Sequence, residues 1–245
     1  MKIKCLHSGS DGNCYLLQTG NEILILECGI SMKEIKIGLN FNLMNVVGVV
    51  VSHIHADHSK SIDDFRKIGI PVFTPYEQEI KKLNKHHYGS FYVTALPMLD
   101  KNMEHWQHTN GDGSECPCYA FLIEVEDYKI LYVTDTKLCV WNLRKMNLTH
   151  MMIGLDYEPE KLSGQEFKTR HILTGHLGRD TAIDIIKANR TDSLQAVYLC
   201  HMSAGNTDKD KCVQDIKKAT DYGIYVDYAV SGKEWEIRNS DECPF

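Results

Sequence analysis

A run of seven residues, Ser52-His53-Ile54-His55-Ala56-Asp57-His58, constrains this chain more than any other part of its sequence. It directly follows an apolar, mostly β-branched stretch at residues 46–51, which predicts a strand buried on both faces. Alternate residues of an extended segment point the same way, so His53 and His55 can reach one metal ion. After the chain turns, Asp57 and His58 can reach a neighbouring position. Burying these groups without a shared partner would cost several kcal/mol, so the run predicts a metal site at a strand end.

Two further ligand candidates follow predicted strands in the same way. Asp135 comes after the strand at residues 129–134, where its two oxygens could bridge two ions. A simple turn aspartate is the alternative interpretation of this residue. His201 follows the apolar strand at residues 196–200, and we interpret it as a ligand of the second metal.

One more histidine is expected from the long polar stretch at residues 97–117, because a loop of this length in a compact domain is usually functional. This stretch contains His105 and His108. We favour His108, which lies closer to the strand that begins at Cys118, and His105 remains the alternative.

No repeat, linker or low-complexity stretch divides the chain, so we predict one domain over residues 1–245. Strand-like and helical segments are interspersed, which favours an α/β fold of two packed sheets flanked by helices. The predicted strands are residues 2–7, 13–19, 22–27, 46–51, 70–74, 91–96, 118–125 and 129–134, a strand near Met151, and residues 196–200. The predicted helices are a short one capped by Ser31 and ending near Gly38, and residues 59–69, 75–84, 178–189 and 208–222.

The composition bounds the class of protein. Hydrophobic residues make up 43% and charged residues 24%, which is ordinary for a globular domain. Nine cysteines without framework spacing, no signal peptide and no membrane-length apolar run lead us to expect a cytoplasmic protein with reduced thiols and no membrane partner. The net charge of −6 argues against a general nucleic-acid coat protein. The pair Cys116 and Cys118 is a weak metal or redox signal, and we interpret it as part of a loop and strand start.

Taken together, these motifs resemble the metallo-β-lactamase superfamily. The resemblance rests on S-H-I-H-A-D-H, a downstream histidine, the aspartate of V-T-D-T and the histidine of L-C-H-M-S. It implies an αββα sandwich of two mixed β-sheets flanked by helices, and a pair of divalent metal ions, zinc or manganese. H-S-G-S-D-G-N-C near the start resembles the YycJ/WalJ-like branch, whose members are reported as DNA exonucleases. The tail T-G-H-L-G-R-D-T-A is similar to that branch and to tRNase Z, with Gly178 where serine is usual.

The resemblance also implies a role for each site residue. Its ligand set divides over two metals that share one aspartate: His53, His55 and His108 at the first, Asp57, His58 and His201 at the second, and Asp135 between them. His176 is implied to contact the scissile phosphate without binding metal, although a helix-start histidine without chemistry is the alternative. Asp57 could also orient the nucleophile, so Asp57 and His176 are the predicted catalytic residues. Ser10 and Asn13 either bind substrate at the rim, with His176, or are hairpin residues only.

The net charge of the implied metal centre predicts an anionic substrate. Two divalent ions bring four positive charges, and Asp57, Asp135 and a bridging hydroxide return three of them. We therefore predict a binuclear metal-dependent phosphodiesterase, by branch resemblance a DNA exonuclease, in which a metal-bridging hydroxide attacks a nucleic acid or nucleotide. A thioesterase or lactonase of the glyoxalase II kind is the alternative enzyme. A low-turnover protein that sequesters nucleotides is the alternative outside catalysis, and the sequence carries no signal for an oligomeric state.

Overall fold

Two β-sheets account for most of the secondary structure, and both contain parallel and antiparallel neighbours. The computed structural model describes residues 1–78, 80, 82–99, 108–110, 112–162, 175–203 and 205–237. The first sheet is formed by β1 (Lys2–His7), β2 (Cys14–Thr19), β3 (Glu22–Leu26), β4 (Val46–Val50), β5 (Val72–Phe73) and β13 (Glu234–Glu236). Its order is β13-β1-β2-β3-β4-β5, with β3, β4 and β5 parallel and the other pairs antiparallel.

The second sheet has seven strands. They are β6 (Asn84–Tyr88), β7 (Phe91–Pro97), β8 (Tyr119–Val125), β9 (Tyr128–Val133), β10 (His150–Gly154), β11 (Ala196–Cys200) and β12 (Tyr225–Tyr228). The strands β6 to β9 form an antiparallel meander, and β9 to β12 run parallel to one another. The parallel half matters for function, because it brings the carboxyl ends of four strands to one edge.

Five α-helices accompany the sheets in the described part of the chain: α1 (Met32–Gly38), α2 (Ala56–Ser59), α3 (Ile62–Lys67), α4 (Arg179–Asn189) and α5 (Lys209–Ala219). Ser31 begins α1 through a capping box, in which its hydroxyl accepts from the Glu34 N–H and the Glu34 carboxylate accepts from the Ser31 N–H. Asp208 caps α5 by accepting from the Lys211 N–H. These caps satisfy N–H groups that the helices themselves leave unpaired.

The second sheet separates two buried apolar clusters, and alternate residues of β9 point into one or the other. Ile130 and Tyr132 belong to the buried cluster shared with the first sheet. Leu131 and Val133 belong to a second cluster, which α4 and α5 cover with buried side chains such as Ile185 and Ile216. The helices α1 and α3 contact the first sheet at β1 and β5. The two mixed sheets flanked by helices confirm the predicted α/β sandwich.

Some local predictions were wrong. The helix predicted at residues 75–84 is a 3-10 turn at Pro75–Gln78, and β6 begins at Asn84. The reason is inward packing on every second residue: the His86 ring lies 4.0 Å from that of Phe73, and Tyr88 packs against Gly48. Lys85 therefore lies on a strand, where it pairs with Glu124 at 2.7 Å.

The helix predicted at residues 59–69 is present but shorter, as α3, and a separate short helix, α2, precedes it. The strands β12 and β13 were not predicted. In the ranges described above, no helix is long and apolar enough to cross a membrane.

Candidate metal centre

The carboxyl ends of the parallel strands place the polar side chains of the site. In the register of β9, β10 and β11, Val133 pairs with Ile153, and Ile153 pairs with Leu199. The next residues along each strand therefore meet at one edge of the sheet. Asp135 and His201 are among them, and so is Asp156, which follows β10.

Two of these strand-end residues have a left-handed backbone, with φ of 34° at Asp135 and 51° at His201. This region costs a residue other than glycine about 1–3 kcal/mol, although aspartate and histidine tolerate it better than most. Such strain clusters at functional sites, where the surroundings hold a side chain in a required direction.

The first candidate ligand set contains His53, His55 and His108, whose potential ligand atoms lie within 4.8 Å of one another. The Nε2 of His108 lies 3.0 Å from the Nδ1 of His55. Burial lowers the pKa of His53 and brings that of His108 down to about 3. Neutral imidazoles keep a lone pair for a metal ion. His105, the alternative candidate, lies outside the described residues.

The second set contains Asp57, His58, Asp135 and His201, which also lie within 4.8 Å of one another. Asp135 joins the two sets: its Oδ2 lies 2.8 Å from His58 Nε2, 3.4 Å from His201 Nε2 and 3.5 Å from His53 Nε2. Asp57 Oδ2 lies 3.3 Å from His58 Nε2 and 3.2 Å from His201 Nε2. A single carboxylate oxygen thus faces histidines of both sets.

Buried polar residues hold the rings of His53 and His58 in place. The Glu27 carboxylate is fully buried and accepts from the Ser52 N–H at 3.2 Å. Ser52 Oγ lies 2.9 Å from His53 Nδ1, and Glu27 Oε1 lies 3.5 Å from His58 Nδ1. Because Nδ1 of each ring faces this support, Nε2 faces the centre, and such outer partners raise ligand basicity.

The glycine-rich opening loop lies against the same turn. Asn13 is fully buried, and its amide donates to the carbonyl of Gly9 at 2.9 Å and to that of Asp57 at 3.3 Å. The same amide nitrogen lies 3.2 Å from His58 Nε2. Ser10 is exposed. Burial favours a supporting role for Asn13 over the predicted contact with substrate, whereas Ser10 remains a candidate for the rim.

Asp156 is a site residue that sequence reasoning missed. Its carboxylate is buried and forms a hydrogen bond with Nδ1 of His201. It also lies 3.4 Å from Nδ1 of His176. The available signal was its position, because Asp156 follows an apolar strand just as Asp135 and His201 do.

His176 lies beside both ligand sets, three residues before the helix α4 begins at Arg179. Its Nδ1 lies 3.0 Å from Asp135 Oδ1. Its ring centroid is 5.2 Å from that of His108 and 6.1 Å from that of His201. The side chain is 17% exposed, so part of it is accessible to solvent beside the two sets.

The two sets fit divalent cations. Among the residues that the structure describes, His53 Nε2 is buried without a hydrogen-bond partner, and it faces a shared carboxylate oxygen. Burial alone would raise the pKa of Asp135, but His201 and His176 outweigh it and hold that pKa well below its usual range. Imidazole and carboxylate together suit zinc, manganese or iron. A buried arrangement of this kind is stabilised when cations occupy it.

Comparison with known proteins agrees with this geometry. The sequence profile of the metallo-beta-lactamase superfamily matches residues 8–136, which include the histidine run and Asp135. The chain belongs to the metallo-β-lactamase superfamily. The predicted membership, fold and hydrolase class are thereby confirmed, and divalent metals are typical of the superfamily.

The alignments with two relatives of this metallo-β-lactamase-fold chain cover nearly its whole length. It is 24% identical over 259 residues to the exodeoxyribonuclease YycJ of Bacillus anthracis, covering 96% of this chain and 94% of that protein. It is 22% identical over 257 residues to the exodeoxyribonuclease WalJ of Streptococcus pneumoniae serotype 2, covering 94% and 93%.

Solved structures share the metallo-β-lactamase fold. YhfI from Bacillus subtilis superposes with a TM-score of 0.67 at 17% identity, covering 96% of this chain and 99% of that one. The short form of human tRNase Z gives 0.63 at 14% identity, covering 97% and 100%. A diphosphatase from the PhnP family gives 0.62 at 13% identity, covering 97% and 98%. These likenesses establish the fold alone.

We expect about two divalent ions per chain, because two ligand sets meet at Asp135. Elemental analysis of gently purified protein, repeated after chelation and reloading, measures this number. A content that stays at one or below after reloading would rule out a binuclear centre.

We expect His108→Ala, and not His105→Ala, to lose metal, because His108 completes the set with His53 and His55. Metal content of the two variants, purified in parallel, is the measurement. Each variant serves as the control for the other. Loss of metal from His105→Ala alone would transfer the ligand role to His105.

Proposed function

We propose that this metallo-β-lactamase-fold hydrolase is a phosphodiesterase with two divalent metals that degrades DNA as an exonuclease. The observation that carries the proposal is the pair of ligand sets that meet at one oxygen of Asp135. The exodeoxyribonuclease relatives, which align over nearly the whole chain, support DNA as the substrate.

The charge of the loaded centre supports an anionic substrate. Two divalent cations bring four positive charges, of which Asp57 and Asp135 neutralise two. The two metal positions with their direct ligands are then cationic, with the Glu27 and Asp156 carboxylates behind His58 and His201, although the whole chain carries a net charge of −6. Ions of this kind, when bound, lower the pKa of water and stabilise negative charge on phosphate oxygens.

Asp57 and His176 are the residues that we propose to act on the substrate. The Asp57 side chain is 23% exposed. It can accept a hydrogen bond from the attacking water and so orient that water toward the substrate. His176 is held through Nδ1 by Asp135 and Asp156, which fixes the direction of its ring. From this position it can bind a phosphate oxygen or protonate the leaving oxygen.

The net negative charge of the chain predicts modest affinity for the polymer. Binding to a nucleic-acid backbone depends on cationic contacts and weakens as salt rises. We therefore expect DNA binding that is weak and sensitive to salt. A cytoplasmic location is consistent with the proposal, since the eight cysteines of the described residues are free thiols.

A hydrolysis screen tests the substrate class. Metal-loaded protein is incubated with end-labelled single- and double-stranded DNA and RNA, with cyclic dinucleotides and with thioesters. We expect phosphodiester cleavage, with DNA shortened progressively from an end. Because Asp135 joins both ligand sets, Asp135→Asn is the control that exposes a contaminating nuclease. Rapid thioester turnover without phosphodiester cleavage would favour a thioesterase of the glyoxalase II kind. Tight nucleotide binding without turnover would favour a protein that sequesters nucleotides.

A further inference from the structure

A second kind of ligand set adjoins the first metal position. Cys116, Cys118 and His108 place one ligand atom each within 4.8 Å of one another. All three residues are buried, with exposed fractions of 1%, 3% and 1%. The proposed hydrolase does not use either thiol.

Local structure brings the thiols to His108. The Cys116 N–H donates to the His108 carbonyl at 2.8 Å, and Thr109 forms a β-bridge with Glu115. The turn between them therefore closes on itself and returns the chain to His108. Cys118 is the residue immediately before β8, so the second sheet fixes the position of its backbone.

The Cys116 thiol connects this set with the histidines. The Cys118 thiol donates to the Cys116 carbonyl at 3.4 Å, and the Cys116 thiol lies within 4.8 Å of a ring nitrogen of His108, which also belongs to the first metal set. A buried cysteine that merely fills space packs against apolar side chains. Cys116 instead contacts groups that bind metals. By contrast, Cys212 is a residue of α5 whose side chain packs in the second apolar cluster, and among the described residues it joins no such set.

We propose that Cys116 and Cys118, together with His108, bind a thiophilic cation beside the first metal position. Two sulfurs and one imidazole are the donors that zinc, cadmium and copper(I) prefer, whereas manganese prefers oxygen. A thiol that coordinates a metal loses its proton, so the set presents two thiolates and a neutral imidazole. The inference rests on the proposed function only through His108, which belongs to both sets.

Cadmium titration of metal-free protein tests this set, with a phosphine reductant present. Sulfur bound to cadmium gives a charge-transfer absorption in the near ultraviolet, and nitrogen and oxygen ligands do not. We expect this absorption in the wild type and in the matched control Cys212→Ala. Cys116→Ala and Cys118→Ala should each lose most of it. Their cadmium affinity should fall by at least the roughly 10–100-fold that the loss of a supporting partner costs.

A second measurement uses the wild-type protein alone, so it does not depend on the folding of a variant. Alkylation of each cysteine is followed by peptide mass spectrometry with cadmium, with manganese and without metal. We expect cadmium, but not manganese, to slow the labelling of Cys116 and Cys118. Saturation with cadmium that produces no charge-transfer absorption at any stoichiometry, or labelling rates unchanged by cadmium, would overturn the proposal. Neither readout depends on hydrolysis, so an error in the proposed function would leave this result standing.

Discussion

Replacing Gly29 with alanine is expected to reduce the metal content to one ion or fewer per chain and to destabilise the fold. A Cβ added to Gly29 would overlap the carbonyl group of Asp57 and lie 2.6 Å from the His58 nitrogen. These are backbone atoms, so no side-chain rotation relieves the contact. The turn is also held by the Asn13 N–H, which donates to the Asp57 carbonyl at 2.7 Å. Relief therefore requires Asp57 and His58 to leave the second ligand set.

The expected loss of stability in Gly29→Ala follows from the cost of placing an extra carbon in a packed interior. Extra carbon in a packed interior costs about 1–3 kcal/mol, and a contact between backbone atoms belongs at the upper end. For a chain of this length, each kcal/mol lowers the melting temperature by roughly 2–4 °C. Thermal melting of the metal-free protein separates this loss from the stabilisation that bound metal contributes.

Gly205→Ala is the matched control, because a Cβ added there meets no atom of the described residues within 4 Å and its backbone needs no positive φ. This variant should keep two metals and the wild-type melting temperature. If Gly29→Ala also kept two metals and the wild-type melting temperature, the close approach of Gly29 to the backbone of Asp57 and His58 would not be needed for metal binding or stability.

Ligand positions were predictable from sequence where they follow a well-marked strand. The histidine run follows β4, Asp135 follows β9 and His201 follows β11, and each strand is apolar enough to be found by composition. Asp156 follows β10 in the same way. It was missed because the sequence located that strand only near Met151, without its end.

Other features depend on contacts between distant segments and leave no local signal. Glu27 supports Ser52 across 25 positions of the chain, from a backbone with φ of 60°. The burial of Asn13 arises because its loop packs on the turn at Asp57. The strand β6 has a polar sequence and exists because its inward residues pack on Phe73 and Gly48. Tertiary packing of this kind overrides local propensity.

The replacement His176→Ala is expected to keep both metals and the fold while removing most of the catalytic rate. Seven other side chains already supply the two ligand sets, so the change opens no position on either metal. His176 contacts Asp135 Oδ1, whereas the two sets meet at Asp135 Oδ2. If its ring stabilises charge or donates a proton in the transition state, kcat should fall about 10²–10³-fold with little change in KM.

Metal analysis, thermal melting and steady-state kinetics on His176→Ala decide between three roles for this residue. His87→Ala is the control for loss of a histidine, since His87 is exposed on β6 and stacks on Tyr92 away from the centre. A near-normal kcat would make His176 a structural residue. Loss of a metal would make it a ligand, because Asp135, Asp156, His176 and His201 also lie within 4.8 Å of one another. Retained metals with a low kcat are expected, since the side chain whose Nδ1 these contacts hold is partly exposed, so a substrate can reach it.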